Sequence, residues 1–436
     1  MERFFTVLKL GIKYLYRYKR RYYFLFAALI FGFTIISFIT STKDGMYDSV
    51  YYSAQSHYAG DIVAVGYDRN TNRNYIHYMG EKEIEAVLNS AELSGINAQY
   101  TLLRTLSGAF FIHFNGLAVE LKNLVGCDWE NEEHLFNKMY FDEGPEADIG
   151  DDGIILSSPV AAQLGVKQGD SIILELETRF GQKNTGVFIV KGIVKDVSIF
   201  GYYKAYISRL THNRLLHFED NDCSSIGFFL EDPTAAEKDR LSLQELISAK
   251  IQTGQLAYDR EGLYHFRDMP WEENIVFLYT LPVYLSEIAY LLDAMNIITY
   301  FLYAMMLLTI FASAAVTYRL ILHERSREMG VMRAIGFFAR DMRLVLWTEI
   351  IVLGVISMLA GFFLARLLSW AVSFLSFSWF PGFEIFLKGD KLVAMYLPQT
   401  ILVNAILLLS ILVILALFPS FRILRKNLSG LLSGET

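Results

Sequence analysis

The chain has 436 residues, of which 53% are hydrophobic and 19% are charged, and its formal net charge is −7 at pH 7. Soluble globular proteins usually have less apolar and more charged sequence, so this composition indicates a membrane protein. The acidic balance argues against nucleic acid as a partner, because nucleic-acid-binding surfaces are basic. Apolar residues are concentrated towards the two ends of the chain, and the middle is expected to form one large soluble region.

The N-terminal stretch, residues 1–21, contains seven Lys and Arg residues and one acidic residue, Glu2. Residues 22–42 follow without a charge, and a helix of this length rises about 1.5 Å per residue, enough to cross about 30 Å of hydrocarbon. We predict the first transmembrane helix there. A cleaved signal peptide is the alternative, but no Ala-x-Ala site follows, so an uncleaved anchor is favoured. Residues 1–20 are expected either to lie along the membrane or to extend the helix.

The middle of the chain, residues 43–280, has the pattern of a mixed α+β domain. Alternating apolar residues predict strands, Gly116 is typical of a turn, and Ser157 with Pro159 is typical of a helix start. The expected elements are strands at 61–65, 109–125, 153–156, 171–176 and 187–194, and helices at 81–88, 157–164 and from 233 towards 251. The strands at 171–176 and 187–194 are predicted to pair across a polar link, residues 179–186.

Cys127 and Cys223 are the only cysteines of the sequence. A disulfide between them could persist in an oxidising compartment. Two buried free thiols are the favoured interpretation, because a domain of this size can build a core without a crosslink.

The C-terminal part of the chain alternates between long apolar runs and short polar segments. Apolar runs of about twenty residues predict transmembrane helices, and the aromatic residues between the last two are typical of a membrane interface. The predicted segments are a stalk and second transmembrane helix at 281–318, with the span at 295–318, a charged segment at 319–343, a third transmembrane helix at 344–370, an interfacial loop at 371–397, a fourth transmembrane helix at 398–420, and a tail at 421–436.

The charge distribution predicts how these segments are oriented. Residues 43–293 contain 38 Asp and Glu but 20 Lys and Arg. The segments 1–21, 319–343 and 421–436 together contain 16 basic and 5 acidic residues. Because basic loops stay in the cytoplasm, both termini and the 319–343 segment are expected there, and the large domain outside. The fold class predicted is four transmembrane α-helices with a large mixed α+β extracytoplasmic domain between helices 1 and 2.

Polar and small residues inside the predicted spans have two interpretations. Ionisable residues within a membrane often mark transport pathways. Glu349 is nevertheless expected to reach interfacial water or to pair with Arg343, and Asn404 to join helices through its amide. Gly354 and Gly361 indicate close helix packing, although their seven-residue spacing is weaker evidence than a Gly-x-x-x-Gly pair.

No motif of an enzyme or a cofactor site is found in the sequence. There is no Gly-x-x-x-x-Gly-Lys-Ser/Thr phosphate loop and no Gly-x-Ser-x-Gly elbow. His323-Glu324 begins like a zinc-hydrolase helix, but position 327 is Arg where the second His should stand. Acidic clusters at 81–85 and 143–152 are interpreted as solvated surfaces, with calcium binding as a minority alternative. We therefore predict no catalytic residue, no metal and no cofactor.

Residues 323–336 form a charged island between two apolar runs, and helix formers with Met329, Met332 and Ile335 at helical spacing predict a short amphipathic helix. The island resembles a pattern of the FtsX/MacB/Lol class of ABC transporter permeases. In that pattern Met329 replaces an Ile. The matching residues are Arg325, Arg327, Glu328, Met329, Gly330, Arg333, Ala334 and Gly336. The stretches 124–128, 143–144, 154–157, 164–170 and 188–196 are similar to the periplasmic core domain of MacB-like members, and Glu349 and Gly354 to residues that open the third span in relatives.

The resemblance implies a non-catalytic permease subunit in the cytoplasmic membrane of a bacterium. Its partners would be a cytoplasmic ABC ATPase dimer and a second permease subunit, in a homodimer or a heterodimer. The ATPase would dock on the island, whose expected coupling residues are Glu324, Arg325, Arg327, Glu328, Met329, Gly330, Met332, Arg333, Ala334 and Gly336. Exposed Arg and Glu would supply a polar rim around an apolar centre.

The cargo that the resemblance favours is a lipoprotein, released from the membrane by movement of the outer domain. MacB-like efflux of peptides or toxins and FtsX-like control of an envelope hydrolase are alternatives within the family. A ligand-sensing membrane receptor is an alternative of another class. The link at 179–186 is shorter than the hook with which the lipoprotein-releasing subunit recruits a periplasmic carrier, which argues against carrier recruitment by this chain.

Overall fold

The structure is a computed structural model of the whole chain. It describes residues 9, 13–17, 19–69, 75–137, 139–145, 148–195, 200–201, 203–259, 261–262, 271, 274–377, 379 and 383–424. Most of the basic N-terminal segment and the tail after residue 424 therefore lie outside the described residues.

Long helices account for both ends of the chain, and short helices alternate with strands in the middle. The helices are α1 Lys19–Tyr58, α2 Glu81–Ser94, α3 Glu133–Phe136, α4 Ser158–Leu164, α5 Arg209–Leu216, α6 Ala236–Ser248, α7 Leu281–Leu285, α8 Ala289–Glu324, α9 Ser326–Ala334, α10 Ala339–Val372 and α11 Pro398–Leu424. Single 3₁₀ turns occupy Pro233–Ala235, Ser286–Ile288 and Glu384–Phe386.

The strands lie between α1 and α7. They are β1 Ile62–Arg69, β2 Tyr75–His77, β3 Ala98–Ser107, β4 Phe110–Phe114, β5 Leu117–Leu121, β6 Asn123–Cys127, β7 Phe141–Glu143, β8 Gly153–Ser157, β9 Ser171–Glu177, β10 Lys183–Val194, β11 Lys204–Ser208, β12 Ser225–Leu230 and β13 Ile275–Thr280. Hydrogen bonds join them in the order β13-β1-β12-β3-β6-β11-β8-β10-β9-β4-β5, with β2 on β1 and β7 on β10. The pairs β8–β10 and β6–β11 are parallel and the others are antiparallel, so the sheet is mixed.

The chain divides into two compact units. The first, which we call the helical unit, contains Met1–Tyr47, Leu292–Ser376 and Leu392–Thr436. The second, the sheet unit, contains Asp48–Leu291 and Phe377–Lys391. Within the described residues, α1, α8, α10 and α11 are long and apolar enough to cross a membrane. The predicted fold class, four apolar helices with a large mixed domain between the first and second, is confirmed.

Helix α1 is much longer than the apolar stretch 22–42 that predicted it. It continues without interruption to Tyr58 and stops where Ala59 and Gly60 adopt φ of 64° and 144°. Gly45 lies inside this extension, where a Cβ atom would stand 1.8 Å from the carbonyl oxygen of Val393. Hydropathy detects only the part of a helix that suits lipid, whereas a helix ends at the first conformational break. The end of α1 was therefore missed.

Most of the local predictions in the sheet unit are confirmed. Gly116 turns between β4 and β5 with φ of 80°, and α4 follows Ser157 with Pro159 in its first turn. Strands β9 and β10 pair as the expected hairpin, but Lys183 already pairs with Glu177. The predicted link at 179–186 is thus too long: the connection is residues 178–182, closed by a hydrogen bond of 2.7 Å from the Thr178 amide to the Gln182 carbonyl.

The loop between α10 and α11 differs from its prediction as an interfacial loop. Its central part, Phe377–Lys391, belongs to the sheet unit. The side chains of Ile385, Phe386 and Leu387 are buried there. Two ion pairs hold the loop within that unit: Lys388 Nζ lies 2.6 Å from Asp48 Oδ2, and Lys195 Nζ lies 3.4 Å from Asp390 Oδ2. Aromatic composition alone could not distinguish membrane contact from packing in a protein core.

Cys127 and Cys223 are both buried free thiols. Burial disfavours the thiolate, and it raises the pKa of Cys127 well above its ordinary value and the pKa of Cys223 to about 12. Each thiol is consequently inert and packs as a small apolar side chain. The favoured interpretation of the two cysteines is confirmed.

Candidate functional site

The charged island forms helix α9 and the turns on either side of it. Helix α8 ends at Glu324, and the backbone of Arg325 separates it from α9 with φ of −94° and ψ of 0°. Gly336 ends the segment with φ of 100°, a conformation that side chains with a Cβ rarely adopt. The island is therefore a short helix with a defined start and stop, as the spacing of its apolar residues predicts.

The expected coupling residues differ in burial and fall into buried, half-buried and exposed groups. Arg325, Met329 and Gly330 are buried, and Glu328, Met332 and Arg333 are half-buried. The exposed members are Glu324, Arg327, Ala334 and Gly336. The buried residues Arg325, Met329 and Gly330 cannot provide the surface of a docking site. Their packing makes them part of the support beneath it.

The exposed apolar centre of the island is formed by residues that the resemblance did not single out. Val331, Ile335 and Phe338 are 46%, 76% and 65% exposed. Val331 lies one turn after Arg327 on the exposed face of α9, whereas Ile335 and Phe338 lie on either side of the turn at Gly336. Of the expected apolar residues, Ile335 is exposed, Met332 is half-buried and Met329 is buried, and their role in coupling stays a prediction. Methionine spacing indicated a face of the helix, but the face it marks is the one that packs inward.

Arg325 takes part in a buried network at the base of α9. Its Nη1 lies 2.5 Å from Glu349 Oε2 on α10 and 3.0 Å from the hydroxyl of Tyr22 on α1. The Tyr22 hydroxyl donates to the same Glu349 oxygen at 2.6 Å. The side chains of Arg325 and Glu349 are 3% and 1% exposed. One charge pair thus fastens the start of α9 to two apolar helices, and the partner of Glu349 is Arg325 rather than the expected Arg343.

The aromatic residue Tyr14 and the carboxylate of Glu328 complete the surroundings of this arginine. The guanidinium lies 5.2 Å from the ring centroid of Tyr14, and its Nε lies 3.7 Å from Glu328 Oε2. Charges buried this deeply destabilise a fold strongly when one partner is removed, because the other is left uncompensated. The network therefore anchors the start of α9 to α1 and α10.

The remaining predicted residues of the spans lie at helix contacts. Asn404 Nδ2 donates to Thr40 Oγ1 at 2.9 Å, which connects α11 to α1. A Cβ at Gly354 would stand 2.7 Å from Leu412 Cδ1 on α11, and one at Gly361 would stand 2.9 Å from the Ile30 carbonyl oxygen on α1. The two glycines face different helices, so their spacing does not define a single packing face. Their contribution to function stays a prediction.

The opposite end of α1 is held by a second buried arginine, within the sheet unit. Arg104 Nη1 on β3 donates to the carbonyl oxygens of Ser56 and His57 at 2.9 and 3.1 Å. These carbonyls belong to the last turn of α1, where helices leave acceptors unpaired and carry partial negative charge. Lys204 Nζ on β11 donates to the His57 carbonyl at 2.8 Å. Two cations thus cap the helix.

Glu132 balances the charge of Arg104. Its Oε2 lies 2.5 Å from Arg104 Nη2, and both side chains are 1% exposed. Burial alone would lower the pKa of Arg104, but the neighbouring Glu132 carboxylate raises it above the ordinary value. The arginine therefore stays charged and bonded. Sequence reasoning missed this site, since its acceptors on α1 are backbone atoms.

The acidic clusters are used for hydrogen bonds inside the fold. Glu83 Oε2 accepts from the Gly80 amide at 3.1 Å at the start of α2, and Glu143 Oε2 accepts from the Gln168 amide at 2.7 Å. Asp151 Oδ1 accepts from Ser208 Oγ at 2.8 Å. Over the described part of the chain, no group of three His, Cys, Asp or Glu side chains could hold a metal ion.

Comparison with known proteins adds a family to this geometry. Residues 300–428, which include α9, α10, α11 and most of α8, match the FtsX family, described as the FtsX-like permease C-terminal domain. The resemblance of residues 323–336 to FtsX-type permeases is thereby confirmed for this part of the chain. A search of curated proteins gives no match.

Two solved structures have low similarity to the chain. The periplasmic region of MacB from Actinobacillus actinomycetemcomitans is 14% identical with a TM-score of 0.31, over 54% of this chain and 95% of that one. A domain described as that of a permease protein from Porphyromonas gingivalis is 11% identical with a TM-score of 0.27, over 51% of this chain and 90% of that one. At these scores neither carries an argument about this chain.

Proposed function

We propose that this chain, whose residues 300–428 are an FtsX-like permease C-terminal domain, is the membrane subunit of an ABC transporter driven by a separate ATPase. The ATPase docks on the exposed face of α9, with Val331, Ile335 and Phe338 at the centre and Glu324 and Arg327 at the rim. An apolar centre with a charged rim is the usual composition of a specific interface between proteins. A second permease subunit completes the transporter.

The buried Arg325–Glu349–Tyr22 network is the observation that carries this proposal. A docking helix transmits motion only if its base is fixed to the membrane helices more firmly than to its partner. Arg325 supplies that attachment, because its charge has buried partners on both α1 and α10. A displacement of α9 would break the network or move both helices, and breaking it costs about 3–5 kcal/mol.

Helix α1 is the proposed route from the docking helix to the sheet unit. It is one continuous helix of 40 residues, about 60 Å long at 1.5 Å per residue. Tyr22 attaches its first turns to the network, and Arg104 with Lys204 caps its last turn. We propose that movement at the first turns of α1 is passed along the helix to the residues that hold its last turn. ATP hydrolysis would move the sheet unit rather than open a pore.

The orientation that suits this function places α9 and both termini in the cytoplasm and the sheet unit outside, in a bacterial cytoplasmic membrane. Its support is the excess of basic residues in segments 1–21 and 319–343 and the acidic balance of residues 43–293. A cysteine introduced at Ile335 should react with a membrane-impermeant maleimide only after the cells are opened. One introduced at Leu93, which is 70% exposed in the sheet unit, should react in intact spheroplasts.

Co-purification tests the docking surface. The double variant Val331→Glu/Ile335→Glu should lose at least 90% of the ATPase that purifies with the wild-type permease, because two charges replace the apolar centre. Charge reversal of Arg327 and Glu328 should also abolish it. A matched control is Leu93→Glu/Leu241→Glu, which alters exposed leucines of the sheet unit and should keep the ATPase. Stoichiometric ATPase on the Val331→Glu/Ile335→Glu variant would contradict this docking site.

For the cargo, we propose a lipoprotein released from the outer leaflet. The support is the layout of four spans with one large domain after the first. The short connection at 178–182 argues against recruitment of a carrier by this chain. Proteoliposomes containing the permease, its ATPase and a lipoprotein should release the lipoprotein into the soluble fraction only with ATP. ATP-driven loss of an enclosed peptide, or activation of an added envelope hydrolase, would instead identify efflux or hydrolase control.

A further inference from the structure

A pocket lies at the first turns of α1, on the side that faces α10. Its volume is about 660 Å³, within the roughly 300–1,000 Å³ of ordinary small-molecule sites. Apolar side chains of the two helices form its walls, and basic and aromatic side chains form its rim. The walls include Phe26, Val352 and Ile356, and the rim includes Tyr16, Lys19 and Arg20.

The rim has positive charge that no carboxylate of the described chain neutralises. Lys19 and Arg20 are exposed, and among the described residues neither forms an ion pair. The nearest recorded partner of Lys19 is the ring of Tyr16, whose centroid lies 5.4 Å from Nζ. An apolar cavity with two exposed cations at its mouth suits a ligand that has an anionic head and an apolar body.

We propose that this pocket binds one anionic phospholipid. Its phosphate lies against Lys19 and Arg20, and one acyl chain lies along Phe26, Val352 and Ile356. The location supports a lipid over a soluble anion, because the walls belong to helices that are long and apolar enough to cross a bilayer. Anionic lipids are concentrated in the cytoplasmic leaflet, and basic pockets between membrane helices on that side bind their headgroups. The choice of leaflet rests on the orientation in the proposed function.

The bound lipid would act on the buried Arg325–Glu349–Tyr22 network at the base of α9. Tyr22 also lines the pocket, and its hydroxyl donates to Glu349 at 2.6 Å. A lipid between α1 and α10 therefore contacts the two helices that Arg325 fastens together. Its occupancy would stabilise the arrangement in which the network is closed.

Native mass spectrometry of the full-length permease in detergent tests the site directly. The wild-type protein should retain one added phosphatidylglycerol and little phosphatidylcholine. Lys19→Gln/Arg20→Gln should weaken phosphatidylglycerol binding about 30-fold, since each surface charge near anionic lipid contributes about 1 kcal/mol. The matched control is Arg319→Gln/Arg340→Gln, which removes two exposed arginines that do not line the pocket and should leave binding within twofold of wild type.

A second variant tests the apolar walls without a change of charge. Val352→Phe/Ile356→Phe fills the pocket and should abolish retention of phosphatidylglycerol. If the wild-type protein retained phosphatidylglycerol and phosphatidylcholine equally, the proposal would be overturned. This comparison does not depend on any variant. Equal loss in both pairs of charge variants would also overturn it, since it would show general attraction to a basic surface. No ATPase is present in this measurement, so its failure is distinguishable from failure of the docking proposal.

Discussion

The two ends of α1 are fixed by the same chemistry in different ways. Each end has a buried arginine paired with a carboxylate at 2.5 Å: Arg325 with Glu349 at the first turns and Arg104 with Glu132 at the last. At the first turns, the arginine binds a side chain of the helix, the hydroxyl of Tyr22. At the last turn, it binds the backbone carbonyls of Ser56 and His57.

This difference determines how each attachment responds to substitution. The attachment at the first turns depends on one hydroxyl of α1 and can be loosened by a conservative change in the helix itself. At the last turn, Arg104 uses only backbone carbonyls of α1, which any residue there would present, and the His57 side chain adds a contact of its Nδ1 with Lys204 Nζ at 3.2 Å. The end near α9 is therefore more sensitive to substitutions in α1 than the end in the sheet unit.

The largest effect is expected from Arg104→Met at the last turn of α1. The substitution leaves the Glu132 carboxylate buried without Arg104 and removes the arginine that donates to the Ser56 carbonyl, whereas the His57 carbonyl keeps Lys204 as a donor. The free energy of unfolding of the sheet unit should fall by about 3–5 kcal/mol, measured by urea titration of the full-length protein in micelles. The double variant Arg104→Met/Glu132→Met should recover at least half of this loss. No recovery would show that the charge pair is not the cause.

Glu349→Gln weakens the attachment at the first turns of α1 without changing its shape. The amide oxygen can still accept from Arg325, but a charged hydrogen bond becomes a neutral one, at a cost of about 1.5–3 kcal/mol. ATPase should still co-purify, while ATP-dependent lipoprotein release should fall at least tenfold. Thr348→Val, a neighbouring change on α10 outside the network, is the control and should keep release near the wild-type rate. If Glu349→Gln released the lipoprotein at the wild-type rate, the Arg325–Glu349–Tyr22 network would not be needed to transmit motion from the ATPase.

A change of pH tests the stability of the sheet unit separately. Burial lowers the pKa of His212 from its ordinary value to about 3. The unfolded chain therefore binds a proton that the folded chain does not, so stability present above about pH 6.5 is lost as the pH falls towards 3. Between pH 7 and 5 this histidine should remove about 2 kcal/mol. The slope of stability against pH should be shallower in His212→Gln, and equal slopes in both proteins would refute the prediction.

The smallest effect is expected from Tyr22→Phe, which removes one hydroxyl and keeps the ring. The lost hydrogen bonds to Glu349 and Arg325 should cost about 1.5 kcal/mol, the low end for bonds to charged groups, because Glu349 and Arg325 keep each other as partners. Tyr23→Phe is the matched control, because Tyr23 is 64% exposed and its hydroxyl takes no part in the network. Thermal unfolding of both variants in micelles measures the difference. If the two midpoints are equal, the hydroxyl of Tyr22 does not hold α1.

Hydropathy and charge predicted the architecture because both are sums over many residues. Glu349 was recognised from its position in an apolar run, but its partner was not, since periodicity contains no information on which distant side chain meets it. Arg325 was expected on a surface because arginines usually are exposed. The cap on α1 had no signal in the sequence at all, because its acceptors are main-chain atoms. Packing of the Phe377–Lys391 loop was hidden for a similar reason: apolar residues suit lipid and a protein core equally.

The membership of Phe377–Lys391 in the sheet unit decides how that unit can be produced as a soluble fragment. A fragment that contains only residues 48–291 would lack Lys388 and Asp390, the ion-pair partners of Asp48 and Lys195. It would also lack the buried side chains of Ile385, Phe386 and Leu387. A fragment that joins residues 377–391 to the 48–291 segment through a flexible Gly/Ser linker restores these contacts, and it is the fragment suited to crystallisation and to screening for cargo.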